Sequence, residues 1–356
     1  MEDKKMSTIN TMRHCERSET KRSNPAGIVS LISGLLRHDS RAKAGLSFLA
    51  MTVVFLFSSF PSFAQQDPMY SMYMFNGLAI NPAYAGSRER PTVLALYRHQ
   101  WTGLEGAPKT AVFTGHAPLL NDKIAIGGSL CSDNISIFNV ITLNFDYAYR
   151  IKFKKNRGKL SFGMNVTLNN FRARWNDLTL NDAVDPAFLS SDNSVTSPNF
   201  GAGVYYYTDK FYAGVSVPHF LNMSLSDNFE HEATDLTARQ WKHYFYTMGA
   251  VFNIGKNVKF KPSLLFKHVK NAPFEADINA GFLFKETLWV GAGYRTGDAV
   301  NFITEYMFAK GVRIGYAYDY TLTELNDYSS GSHEIMIGYE FLKKDTYLTP
   351  RRMSYF

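Results

Sequence analysis

From about Pro91 onward the chain breaks into segments that are hydrophobic at every second residue. The clearest runs from Asn139 to Phe153. There Ile141, Leu143, Phe145, Tyr147, Tyr149, Ile151 and Phe153 share one face, and Thr142, Asn144, Asp146, Ala148, Arg150 and Lys152 share the other. A helix would scatter both sets around its circumference, whereas a strand keeps them apart. Lys159 to Phe171 repeats the pattern, with Leu160, Phe162, Met164, Val166 and Leu168 opposite Ser161, Gly163, Asn165, Thr167 and Asn169. So does Val312 to Tyr320, where Ile314, Tyr316, Tyr318 and Tyr320 oppose Arg313, Gly315, Ala317 and Asp319.

The period predicts strands near 92–100, 110–117, 124–133, 139–153, 159–171, 199–208, 211–218, 243–254, 258–269, 274–284, 288–295, 299–308, 312–320 and 333–342. That even total of about fourteen suits a bacterial single-chain membrane barrel. A soluble sandwich also alternates, so loop order is needed to separate the two architectures. Every second connection is short: Pro118 to Lys123, Lys154 to Gly158, Thr208 to Lys210, Gly255 to Asn257, Lys285 to Thr287 and Ala309 to Gly311. The long ones, Arg172 to Pro198, His219 to Lys242 and Thr321 to Ser332, all fall in the other set. An up-and-down barrel puts each set on its own rim, short turns in the periplasm and long loops outside. The expected fold is therefore all-β, a transmembrane antiparallel up-and-down β-barrel. Aromatic clusters at strand ends, Tyr205-Tyr206-Tyr207, Tyr244-Phe245-Tyr246 and Trp289, are expected in interfacial girdles.

Composition agrees with this architecture. Aromatic residues make up 15% and charged residues only 19% of the 356 positions, and mean hydropathy is −0.20. That is too low for a bundle of membrane helices, but natural for strands with one face in lipid and one in water. Gly45 to Phe60 is an uncharged apolar run, preceded by Arg41 and Lys43 and followed by Ser62-Phe63-Ala64. These are the parts of a secretory signal peptide, with cleavage expected after Ala64. Residues 1–64 are therefore read as a leader, 65–91 as an N-terminal periplasmic segment, 92–342 as the barrel and 343–356 as a C-terminal tail. The terminal Phe356 suits recognition by barrel-assembly machinery by analogy.

The formal charge of +7 raises the question of nucleic acid. Nine Lys and Arg and five Asp and Glu lie in the first 64 residues, which leaves 29 against 26, or +3, in the remainder. Basicity is thus no functional signal, and no nucleic-acid partner is expected. Cys15 lies in the leader, so Cys131 alone offers neither an intrachain disulfide nor a cysteine metal site.

Several segments resemble the PorP/SprF family of type IX secretion system outer-membrane proteins. They are Gln66-Asp67-Pro68, Tyr70-Ser71, Tyr73, Asn76 and Asn81-Pro82-Ala83-Tyr84-Ala85-Gly86, then Tyr97-Arg98-His99-Gln100-Trp101-Thr102-Gly103 and Gly106-Ala107-Pro108-Lys109-Thr110. Pro198-Asn199-Phe200-Gly201-Ala202-Gly203, Phe211-Tyr212-Ala213-Gly214, Tyr294-Arg295-Thr296-Gly297-Asp298-Ala299, Arg313 to Tyr320 and Gly331 to Met336 continue it. One departure is Ser132-Asp133-Asn134-Ile135-Ser136, where a loop-closing glycine is expected. The resemblance implies a non-enzymatic accessory of protein export in Bacteroidetes, associated with gliding motility. Its implied partners are the type IX translocon, periplasmic ring and motor components, secreted surface-protein cargo such as adhesins, and outer-membrane lipid. It implies no cofactor.

Candidate partner-contact residues fall in two places. Tyr70, Tyr73, Asn81, Pro82, Tyr84 and Gly86 lie before the first strand, in a stretch whose Asn-Pro and Ala-Gly steps favour turns. That stretch is expected on the periplasmic side or folded into the lumen. It would either seal the barrel or dock a periplasmic partner through exposed Tyr70, Tyr73 and Tyr84. Arg98, Gln100 and Trp101 lie where the first strand meets an outer loop, which suits loop-to-rim packing or partner contact. Arg313 and Asp319 share an inward face, where charges pair, hydrate or line a transport path.

No metal, serine-hydrolase or nucleotide motif is present: HExxH, GxSxG, a P-loop and a helix-opening GxGxxG are all missing. Gly201-Ala202-Gly203 and Gly291-Ala292-Gly293 lie inside strands, where small inward residues let neighbouring side chains fit. A hydrolase would need His219 or His231 beside Asp227 or Asp235 in a long outer loop. A passive solute channel is the alternative to an export accessory, since fourteen strands leave a lumen that conducts unless filled.

Overall fold

The computed structural model describes residues 68–120, 122–153, 158–174, 193–224, 239–270, 272–308 and 311–341. The leader, the tail and the hydrolase candidates His231, Asp227 and Asp235 lie outside them. Fourteen strands form the wall: β1 (Thr92–His99), β2 (Lys109–Leu119), β3 (Ile124–Ile135), β4 (Phe138–Lys152), β5 (Lys159–Ala173), β6 (Asn193–Tyr207) and β7 (Phe211–Val217). They continue as β8 (His243–Ala250), β9 (Val258–Val269), β10 (Glu275–Phe284), β11 (Leu288–Arg295), β12 (Ala299–Met307), β13 (Val312–Thr321) and β14 (Ser332–Glu340).

Each strand pairs antiparallel with its neighbours in sequence, and β1 pairs with β14 from Thr92↔Glu340 to His99↔His333. The sheet therefore closes without a free edge, which is what lets strands span a bilayer with every backbone group satisfied. The predicted fourteen-stranded up-and-down barrel is the observed fold. Among the described residues no helix is long and apolar enough to cross a membrane.

The alternation puts apolar residues outward. Phe113, Phe145, Met164, Phe302 and Ile337 are each more than half exposed. Inward neighbours on the same strands are polar and buried, among them Thr114, Asp146, Asn165, Asn301 and Glu334. This inverts a soluble protein, whose buried residues are chiefly apolar. One rim carries the short turns. The other carries the long connections after β1, β5, β7 and β13.

Three local features depart from the sequence-based expectation. Strand β6 starts at Asn193 rather than 199, because its first residues are polar on the outer face and carry no hydrophobic period. The amide of Asn170 donates there to Ser194 and Thr196 at 2.9 and 2.7 Å. Strand β8 stops at Ala250, and Phe252–Asn253 resumes pairing with β9. The break lies opposite Pro262, which has no N–H to give. The turn between β3 and β4 does need a left-handed residue, and Ser136 supplies it at φ +52° where glycine was expected.

Candidate functional site: the occupied lumen

The lumen is not empty. Residues 68–91 run through it as three short 3-10 turns, Tyr73–Phe75, Gly77–Ala79 and Pro82–Tyr84. The third has a clear local cause: Asn81 caps it by accepting from the Ala83 N–H at 2.9 Å, and Pro82 pre-sets the first helical position. Met72, Ala83, Ala85 and Ser87 have no exposed surface. The segment is as buried as a globular core.

Polar contacts tie it to the wall at three levels. At the long-loop end, the backbone N–H groups of Ser71 and Met72 donate to the two oxygens of Glu334 at 3.0 and 2.8 Å. The Ser71 hydroxyl donates to Asp319 at 2.6 Å. Midway, Thr114 donates to Asn76, Ser216 donates to the Ile80 carbonyl at 2.6 Å, and the Asn81 amide donates to the Val204 carbonyl. At the short-turn end, Arg150 donates to the Ala85 carbonyl at 2.6 Å and the Gly86 N–H donates to His116. There Arg88 pairs with Glu340 at 3.1 Å.

Apolar contacts fill the space between these ties. Phe75 meets Trp289 edge to face at 5.2 Å between ring centres. Tyr84 does the same with Tyr205 at 5.5 Å and with His116 at 5.6 Å. Tyr73 and Ile80 pack on Phe245 and Leu265. Glycines in the wall make this fit possible. A Cβ on Gly163 would overlap the Pro82-Ala83 backbone, and one on Gly203 would overlap the Asn81 side chain. A cavity of about 20 Å³ remains beside Asn81, Tyr84, Tyr205 and Thr247, room for about one water.

The long-loop half of the lumen also holds a buried charge network. Arg98 bridges Asp319 at 2.7 Å and Glu334 at 3.0 Å. Arg295 bridges Asp277 at 2.8 Å and lies 3.5 Å from Asp319. At the other end Arg313 pairs with Glu305 and with Glu340. Every one of these arginines and acids has a charged partner. That pairing suits groups removed from water, which are costly alone.

The expected site residues can now be placed. Tyr70, Tyr73, Asn81, Pro82, Tyr84 and Gly86 all lie in the luminal segment and are buried. The exposed tyrosines expected for docking are therefore not exposed: the three rings occupy the space that a hollow barrel would leave to water. The segment lies within the lumen, the second of the two positions left open by its sequence. Arg98 faces inward into the charge network, apart from Gln100 and Trp101. Those two belong to the loop after β1, where the Trp101 N–H donates to Ser332 and the Thr102 N–H to the Gly331 carbonyl. His219 is buried at the end of β7. Arg313 and Asp319 are both paired inside the lumen.

The aromatic-girdle expectation needs correction. Tyr205, Tyr207, Phe245 and Trp289 are at most 4% exposed and face inward. They build the bed for the luminal segment, while Tyr246 faces outward. Alternation within each cluster was the available signal, since adjacent residues of a strand cannot both face lipid.

A sequence profile of the type IX secretion system membrane protein PorP/SprF matches residues 62–339. The chain belongs to the PorP/SprF family. That match spans the luminal segment and nearly all of the wall, so the filled barrel is the part of this PorP/SprF chain that carries the family pattern. No curated protein matches it. Among solved structures it is similar to Omp33 of Acinetobacter baumannii, at 12% identity and TM-score 0.40, covering 71% of this chain and 98% of that one. It is similar to the KdgM porin at 8% identity and TM-score 0.35, covering 70% and 99%. A mutant of the monoaromatic hydrocarbon channel TodX gives 11% identity and TM-score 0.41, covering 76% and 93%. By its family match and its closed wall, and not by these likenesses, the PorP/SprF chain is an outer-membrane β-barrel component of type IX secretion.

Proposed function

We propose that this protein is a non-enzymatic accessory of type IX secretion that supports export and surface attachment of cell-surface proteins, rather than a pore for small solutes. The observation that carries this reading is the luminal segment. A solute channel needs a continuous wet path, and residues 68–88 cross the lumen with buried contacts on opposite walls. The work of such a barrel then falls to its rims, where the translocon, the periplasmic ring and motor components, and the secreted cargo would be met. Gln100 and Trp101, at the long-loop rim, remain candidates for such contact.

Deleting the gene and following surface adhesins tests this role. Loss of the adhesins from the cell surface, restored by the wild-type gene, is the expected outcome. Unchanged display would overturn the role and leave the fold untouched.

A further inference from the structure

The two ends of the luminal segment make their contacts at opposite ends of the barrel axis, although Phe75, midway along it, already reaches Trp289 near the short-turn end of β11. Tyr70 lies 3.6 Å from the sulfur of Cys131, in the long-loop half of β3. Ser71 and Met72 engage Asp319, two residues before β13 ends, and Glu334, two residues after β14 begins. Both points are at the long-loop rim. Tyr73 then reaches Ser263 and Asn279 in the interior of β9 and β10, Ile80 reaches Ser216, which pairs with Gly203 of β6, and Ala83 lies on Gly163 in the short-turn third of β5. Ala85 meets Arg150, close to the short-turn end of β4, and Arg88 meets Glu340, the last residue of β14. Finally the Pro91 carbonyl accepts from the Phe341 N–H, and β1 begins.

The segment therefore spans the lumen from one mouth to the other. Its leading end is at the mouth with the long loops, and its trailing end is at the rim with the short turns. In outer-membrane barrels long loops face the outside and short turns the periplasm. We infer that the leading end opens at the extracellular mouth: Pro68, with Tyr70 to Met72 buried just beneath it, is reached from outside the cell and not from the periplasm.

This bears on where a partner can act. The Ser71, Met72, Asp319 and Glu334 contacts hold the leading end, and a periplasmic partner is separated from them by the full buried length of the segment. A partner or ligand that loosens these contacts must arrive at the extracellular mouth. The periplasmic rim offers only the trailing end, around Arg88 and Glu340. The inference does not depend on the secretion role, because it concerns only the path of the chain.

Single cysteines test it, in a background carrying C15S and C131S. Tyr328, which is 71% exposed in the long loop before β14, and Asn257, exposed in a short turn, are the reference positions. Intact cells are treated with a membrane-impermeant maleimide before and after permeabilising the outer membrane. The expected result is that P68C reacts in intact cells, as Y328C does, while N257C reacts only after permeabilisation. Reaction of P68C with the N257C pattern would overturn the inference. Spin-label distances in the purified protein give a second reading that does not depend on access. The 68–328 separation is expected to be shorter than 68–257, and the reverse order would overturn the proposal.

Discussion

The hydroxyl of Ser71 donates to the carboxylate of Asp319 at 2.6 Å across a sequence separation of 248 residues. The same oxygen accepts from Arg98 at 3.1 Å and from Arg295 at 3.3 Å. One donor and two acceptor sites are all that a hydroxyl has. A single small side chain thus completes the pairing of two arginines and an acid on β1, β11 and β13.

Replacing Ser71 with alanine removes all three contacts and leaves a gap that the charged groups do not refill. The expected cost is about 1–3 kcal/mol, the penalty for buried polar groups that lose a partner. Thermal unfolding in detergent should show a lower midpoint. An unchanged midpoint would mean that the leading end contributes nothing to stability.

Arg98 is held by Asp319 and Glu334, and all three side chains are at most 3% exposed. Arg98→Ala leaves Glu334 with only the Ser71 and Met72 N–H groups, so it should destabilise more than Ser71→Ala, by about 3–5 kcal/mol. Comparing denaturation midpoints of the two variants checks the ranking.

Gly163 gives way to the Pro82-Ala83 backbone, whereas Gly255 has nothing near the position its Cβ would take. Gly163→Ala should therefore displace the third turn at a cost of about 1–3 kcal/mol, as overpacking does, while Gly255→Ala should be silent. The displaced turn is expected to appear as new channel openings in planar bilayers. Equal behaviour of the two variants would contradict the close fit of segment and wall.

Ser136 holds a left-handed conformation at φ +52° in the hairpin joining β3 and β4. Such a conformation costs an ordinary residue about 1–2 kcal/mol and glycine almost nothing. Ser136→Gly should raise the unfolding midpoint, less whatever entropy the added chain freedom costs. A lowered midpoint would show that the serine side chain contributes a contact that outweighs the strain.

The wall was legible in the sequence and most of its contents were not. Strand β4 announced itself because Phe145, Tyr147 and Tyr149 alternate with Asp146, Ala148 and Arg150, and lipid on one side enforces that period. Loop parity followed from chain connectivity alone. The luminal segment has no period, because it is surrounded by wall on every side and its turns are set by Asn81 and Pro82 locally. Its burial depends on Glu334, Asp319 and Glu340, partners at the far end of the chain, which no local pattern reveals. The inward aromatics misled for a related reason: in an ordinary barrel the lumen is wet, and Tyr205 or Trp289 belongs inside only when something apolar lies against it. Gly163 and Gly203 recorded that fit, but an in-strand glycine does not say what approaches it.

Single-channel recording of the purified wild-type protein in planar bilayers tests the filled barrel most directly. The expected trace is flat at the single-protein level, because residues 68–88 bridge the lumen from wall to wall. Large and steady openings from the intact chain would contradict it.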